Sequence, residues 1–150
     1  MTTPPAGRTH GAPDLTPEVT ELDDATVEVA LPAETGSVRV ARRFVKERWQ
    51  GMADEVLGDV ELIVSELVAN AVRHGRPDIV FRLRAEPFAI DIAVLDHGPG
   101  IPSLAASPPD LTATSGRGLT LVDRLASSWG VEPLGEDEVG KTVWASVRCD

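Results

Sequence analysis

The stretch IVFRLRAEPFAIDIAVLD, Ile79 to Asp96, decides the fold. Each half alternates apolar and polar residues. Ile79, Phe81 and Leu83 share one side of the first half, and Phe88, Ile90, Ile92 and Val94 share one side of the second. A period of two sends successive side chains to opposite faces of a strand, so each half reads as a strand with one buried face. The short Glu86-Pro87 link makes the two a candidate antiparallel hairpin, although its turn is not one of the ideal glycine-bearing types.

Upstream, ATVEVALP alternates in the same way, with Val27, Val29 and Leu31 on one face of a strand that stops at Pro32. The spacing changes over residues 33–50, where Val38, Ala41, Phe44, Val45 and Trp49 recur at helical intervals. Arg39, Arg42, Arg43 and Lys46 fall on the wetter side of that helix. A second helix is expected from about Ala53 to His74, its stripe traced by Val56, Val60, Ile63, Val64, Leu67, Val68 and Ala71. Gly75 and Pro77 stop it.

Downstream of the hairpin, Pro99, Pro102, Pro108 and Pro109 punctuate a loop between Gly98 and Gly116, of a length usually kept for a lid or a binding function. GLTLVDRLASS reads as a short helix with Leu119, Val122 and Leu125 inward. Two strands follow around the acidic Gly135–Glu138 turn, and in the last of them Val143, Ala145 and Val147 alternate with Thr142, Trp144 and Ser146. About three helices and five mostly hairpin-linked strands imply an α+β fold: a two-layer α/β sandwich with a mixed, mostly antiparallel sheet and helices on one face. Regular βαβ repetition is absent, so a doubly wound fold fits poorly. Residues 1–24, rich in Pro, Gly, Thr and acid, are expected to form a mostly disordered tail, and 25–150 the domain.

The 150 residues suit one domain, and 42% hydrophobic content suffices for a core that Leu, Val, Ile and Ala must fill, since aromatics are only 4%. Twenty-four acidic residues against 14 basic ones give a net charge of -10, which disfavours a nonspecific nucleic-acid binder. Cys149 is the only cysteine and reads as a free thiol in a reducing compartment. With no apolar signal core and no 18-residue apolar run, the expected location is the cytoplasm, away from the membrane.

Four polar signals stand out. Glu66 and Asn70 share a helix face and border the Ile63–Leu67 stripe. They read either as core-edge residues or as a base and a hard-metal ligand, and Mg²⁺ commonly takes only one or two oxygens from protein. DHGPG, Asp96 to Gly100, is either a plain turn or a bend that brings backbone to a planar ligand. In the latter case Asp96 accepts from an exocyclic amine, which adenine offers where guanine has a carbonyl. SGRGLTLV places Gly116 and Gly118 just before a helix, whose free N–H groups make an anion site. Gly140-Lys141-Thr142 opens the last strand. Thr142 could offer a hydroxyl, but an exposed Lys-Thr on a strand needs no function. His74 and Arg73 suit a helix C-terminus in any case, and the His-poor composition argues against a structural zinc.

In order, ELIVSELVANAVRHG, DHGPG after a strand, GRGL opening a helix and GKTVW resemble the GHKL or Bergerat-fold ATPases. Within them they look most like the small anti-sigma-factor serine/threonine kinases and single-domain actinobacterial ATP-binding regulators. The resemblance covers about Ala25 to Val147. It implies ATP and Mg²⁺ as cofactors, Asn70 as the Mg²⁺ ligand and Glu66 as the catalytic residue, often assigned as general base. It also implies Asp96 at the adenine, with Gly98 and Gly100 shaping its pocket. Gly116, Arg117, Gly118 and Leu119 would lie at the phosphates and Thr142 near the adenine. The implied partners are an anti-anti-sigma protein and a sigma factor, with a homodimer plausible. No phosphoacceptor histidine domain precedes the fold, and the lid between Gly100 and Gly116 has no lysine to reach a γ-phosphate. A nucleotide-binding docking regulator with little turnover is therefore the alternative to a kinase.

Overall fold

A computed structural model describes residues 17–74, 76–99 and 114–149, the side chains of 114–118 excepted. Six strands form one sheet in the order β1-β2-β3-β4-β6-β5: β1 (Glu18–Glu21), β2 (Thr26–Leu31), β3 (Ile79–Glu86), β4 (Ala89–Asp96), β5 (Ser128–Pro133) and β6 (Lys141–Arg148). Every pairing among the described strands is antiparallel. Three helices, α1 (Gly36–Arg48), α2 (Asp54–His74) and α3 (Thr114–Leu125), complete the α+β architecture.

Strand alternation produces the two layers. Val27, Val29 and Leu31 of β2, Ile79, Phe81 and Leu83 of β3, Ile90, Ile92 and Val94 of β4, and Val143, Ala145 and Val147 of β6 are all buried. They pack with Val60, Ile63, Val64, Leu67, Val68 and Ala71 of α2, Ala41 and Val45 of α1, and Leu119 and Val122 of α3 in one core. Phe44 meets Phe81 edge-on at 6.0 Å, where α1 leans on the sheet. Arg39, Arg42, Arg43 and Lys46 are exposed, as the helical spacing requires.

Several boundaries differ from the sequence reading. Of the expected tail, residues 1–16 lie outside the described residues, but Glu18–Glu21 pair with β2 as an edge strand. Its four side chains are all exposed, so no burial pattern announces it, and the backbone ladder and an Arg48–Glu21 ion pair at 3.1 Å hold it. The hairpin turn is shifted by one residue: Glu86 pairs with Ala89, which leaves Pro87 and Phe88 as the turn and Phe88 71% exposed. The α3 helix begins at Thr114, so Gly116 and Gly118 fall within its first turns rather than ahead of it. The fourth expected strand, β5, spans Ser128–Pro133, begins where the stretch read as the third helix was expected to end, and pairs with β6 at the sheet edge.

Candidate functional site

Among the described residues, the buried charged side chains lie where β4 ends. Asp96 continues the inward set Ile90, Ile92, Val94 and is only 1% exposed. Its partner across the ladder is Lys141, which continues the inward set of β6 and is 3% exposed. The ammonium Nζ of Lys141 donates to Asp96 Oδ1 at 3.0 Å, and the Gly98 N–H donates to the same oxygen at 2.8 Å. A charge taken out of water is tolerated only when it is paired and hydrogen-bonded, and each of these two groups supplies the other's counter-charge.

Backbone approach makes the pairing possible. Gly140, at φ +144°, lies so close to β4 that a Cβ there would meet the Asp96 carbonyl oxygen at 2.4 Å, Leu134 Cδ1 at 2.6 Å and His97 Cα at 3.0 Å. Only a residue without a side chain fits both that conformation and that gap. The Leu134 N–H donates to the Gly140 carbonyl at 3.2 Å and closes the loop between β5 and β6. On the other side, the His97 N–H donates to the Arg76 carbonyl at 3.0 Å, which ties the DHGPG turn to the segment leaving α2. The end of α2, the end of β4 and the start of β6 thus meet at one edge of the domain.

Glu66 and Asn70 are half-buried, on one flank of the α2 stripe beside Ile63, one turn apart. Both positions lie in the half of α2 that leads to the Arg76–His97 contact. Gly98 is buried under its bond to Asp96, whereas Gly100 lies outside the described residues. Gly116, Arg117 and Gly118 lie on the α3 backbone, and their side chains are outside the description. Leu119 is a core residue, 3% exposed. His74 is exposed at the helix end.

Thr142 is not brought to Asp96. It follows Lys141 by one residue on a strand and so points to the opposite face of the sheet, where it lines a small cavity of about 60 Å³ with Glu28, Val80, Arg82, Ala93 and Leu95. The expectation that Lys141 is exposed is corrected by its burial. The signal for this was in the sequence: extending the inward set Val147, Ala145, Val143 by one more step gives Lys141.

Asp96, the residue expected to meet the base, is a buried carboxylate at the end of β4. No cluster of three or more His, Cys, Asp or Glu that could hold a metal ion occurs among the described residues. A hard cation carried in with phosphates, with the Asn70 oxygen as a protein ligand, is consistent with that side-chain set. Among the described residues no helix is long and apolar enough to cross a membrane.

Sequence similarity links the chain to known proteins. The model of the histidine kinase-like ATPase domain family matches residues 31–147. An uncharacterised protein of Streptomyces coelicolor is 39% identical over 59 residues, which are 39% of this chain and 50% of that protein, so the match spans half of the relative's length. Among solved structures, the histidine kinase domain of a blue-light activated histidine kinase from Erythrobacter litoralis aligns with a TM-score of 0.47 at 21% identity. That alignment covers 79% of this chain and 62% of the other.

Proposed function

The chain belongs to the histidine kinase-like ATPase domain family, and on that premise we propose that it binds Mg-ATP and acts as an anti-sigma-factor-like protein serine kinase. In this reading it phosphorylates an anti-anti-sigma partner in the cytoplasm and so controls a sigma factor. One observation carries the nucleotide half: a carboxylate buried at the end of β4 is joined through His97 and Arg76 to the end of the helix bearing Glu66 and Asn70. The carboxylate and the end of the helix that bears Glu66 and Asn70 therefore meet at one edge of the domain, which supports a shared nucleotide site.

Mg-ATP supplies the phosphoryl group, and the protein's part is placement. Asp96 receives the exocyclic amine of the base. The Asn70 side-chain oxygen would hold the cation, and the unpaired N–H groups of the first turn of α3 would be available to the phosphates. Glu66, one turn before Asn70, orients the serine hydroxyl of a docked protein and accepts its proton. Phosphoryl transfer needs alignment and charge stabilisation more than covalent help, which is what such a residue set provides. Glu66→Gln is expected to keep Mg-ATP affinity and to lose transfer of radiolabel to an anti-anti-sigma protein. Unchanged transfer would remove Glu66 from the mechanism.

The ion pair favours a second reading, a nucleotide-binding regulator that acts mainly by docking. An acceptor already engaged by an ammonium has less to offer a base, and the stretch between Gly100 and Gly116 contains no lysine. Capture of the partner from native cells, followed by a transfer assay on what is captured, separates the two: a docking regulator holds its partner in a nucleotide-dependent way without labelling it. Sedimentation of the purified chain tests the expected homodimer.

A further inference from the structure

The outer face of α1 runs against the charge pattern that stabilises a helix. Arg39, Arg42, Arg43 and Lys46 are exposed and fall within one arc, opposite the buried Ser37, Ala41 and Val45. Their spacing makes four neighbouring pairs of like charge: Arg39 with Arg42 and with Arg43, and Lys46 with the same two arginines. Like charges three or four residues apart destabilise a helix, whereas a face turned only to water ordinarily alternates in sign. Arg39 also stands near the positive end of the helix dipole, and the first turn carries no acid to offset it. Glu47 is the one acidic residue of the helix, and Arg48 is taken by Glu21. The chain has 24 acidic residues against 14 basic ones, so the shortage of acid here is local. On this face Arg39, Arg42 and Arg43 share with Val38 and Val40 the lining of a hollow of about 430 Å³.

We propose that this face of α1 is a docking surface for a short acidic segment of a partner protein. The inference does not depend on the nucleotide reading above. A guanidinium fork takes a carboxylate through two parallel N–H···O bonds, and three such forks lie side by side here. From Arg39 to Lys46 the helix rises about 10 Å, so carboxylates one or two turns apart on a partner meet all four cations. The repulsion among those cations in the free chain is relieved when they are neutralised, while Val38 and Val40 offer apolar contact to the partner's side-chain stems. The segment has to be short. Past the C-terminal end of α1 stand Glu21 on β1 and Asp54 and Glu55 at the start of α2. A nucleic-acid strand or an anionic lipid surface runs onto those acids, whereas a short segment ends before them, and charges farther off than about 8–10 Å are screened from it.

The test uses the full chain and two double variants with the same change in net charge. Arg39→Glu with Lys46→Glu turns all the like-charge pairs into opposite ones. Arg124→Glu with Arg148→Glu, at exposed positions outside α1, is the control. Fluorescence anisotropy at low salt follows a labelled short polyglutamate, beside oligothymidylate and vesicles of phosphatidylcholine with phosphatidylserine. The unaltered protein is expected to bind polyglutamate and to release it as salt rises. The α1 variant should bind it roughly tenfold more weakly, and the control should lose less than about threefold. The α1 variant should also melt roughly 3–10 °C above the parent, since its helix pairs now attract. Gain of stability together with loss of the ligand is the signature of a face kept for binding. The proposal is overturned if polyglutamate does not bind, if the α1 variant binds it as the parent does, or if the control loses as much. A melting temperature that does not rise removes the argument from repulsion and overturns it as well. Tighter binding of oligothymidylate or of the vesicles than of polyglutamate assigns the face to another class of partner. Salt-sensitive self-association in sedimentation, abolished in the α1 variant, assigns it to a second copy. Either result overturns the proposal.

Discussion

Replacing Gly140 by alanine tests the close approach of the start of β6 to the end of β4. Two costs add at this position. At φ +144° an L side chain is strained, which costs about 1–3 kcal/mol. The new Cβ must also displace the Asp96 carbonyl at 2.4 Å and Leu134 Cδ1 at 2.6 Å, an overpacking cost of about 1–3 kcal/mol. The carbonyl belongs to a central strand and cannot swing aside as a flexible side chain would. Gly51→Ala is the control, because Gly51 also has positive φ, +95°, but has nothing within 4 Å of a built Cβ. It should therefore show the strain cost without the clash. For a domain near this size, thermal unfolding should place Gly140→Ala roughly 5–20 °C below the unaltered protein, with Gly51→Ala well above it. If the two variants melt together, or if Gly140→Ala melts within about 2 °C of the parent, the argument from close approach is wrong.

Other perturbations follow from the same geometry. Asp96→Asn and Lys141→Met each strand a partner in the core and should cost about 3–5 kcal/mol in urea unfolding. Asp96→Leu with Lys141→Met should cost much less than the summed single changes, and strict additivity would show that the pair does not interact. Phe81→Ala, at a site fully closed to solvent, should cost about 3–5 kcal/mol. Phe88→Ala, in the exposed hairpin turn, should stay within about 0.5 kcal/mol, and a larger loss would mean that Phe88 packs somewhere. The Ala25 N–H, donated to Asp23 Oδ1 at 2.8 Å, is the main cause holding that carboxyl below its ordinary 3.8. A lowered folded value means its contribution is present above the ordinary value and fades as pH falls through the folded one. The melting-temperature gap between the parent and Asp23→Ala should narrow on acidification through that window, and a constant gap would refute the assignment.

The two-layer architecture was legible because burial on one face writes itself into period-two and period-3.6 patterns. The inward sets of β2, β3, β4 and β6 and the stripe of α2 were all readable in this way. Elements that bury nothing were not: β1 is held by backbone pairing and one surface ion pair, so its residues read as tail. Phe88 misled for the converse reason, since hydrophobicity marked it for the core while the two-residue turn turned it outward. At the end of β4, the alternation of the strand already carries Asp96 inward. The charge of Lys141 suggests exposure, although the alternation of β6 points the lysine inward. A register shift of one residue exchanges the two faces of a strand, and here it exchanges which residue can reach the carboxylate.

The sheet order has a consequence for assembly. The β6 strand lies between β4 and β5 although it follows both in the chain, and Lys141 reaches Asp96 across 45 residues. Until it inserts, β4 has an uncovered hydrogen-bonding edge from Ala89 to Asp96, and its terminal carboxylate lacks a counter-ion. Such an edge is a template for pairing with other chains, and the flanking hydrophobic residues make it adhesive. Insertion of the last strand shields the edge and neutralises the carboxylate in one step. Variants that slow this step, Gly140→Ala foremost, should therefore leave their mark during refolding as aggregates as well as in the melting temperature.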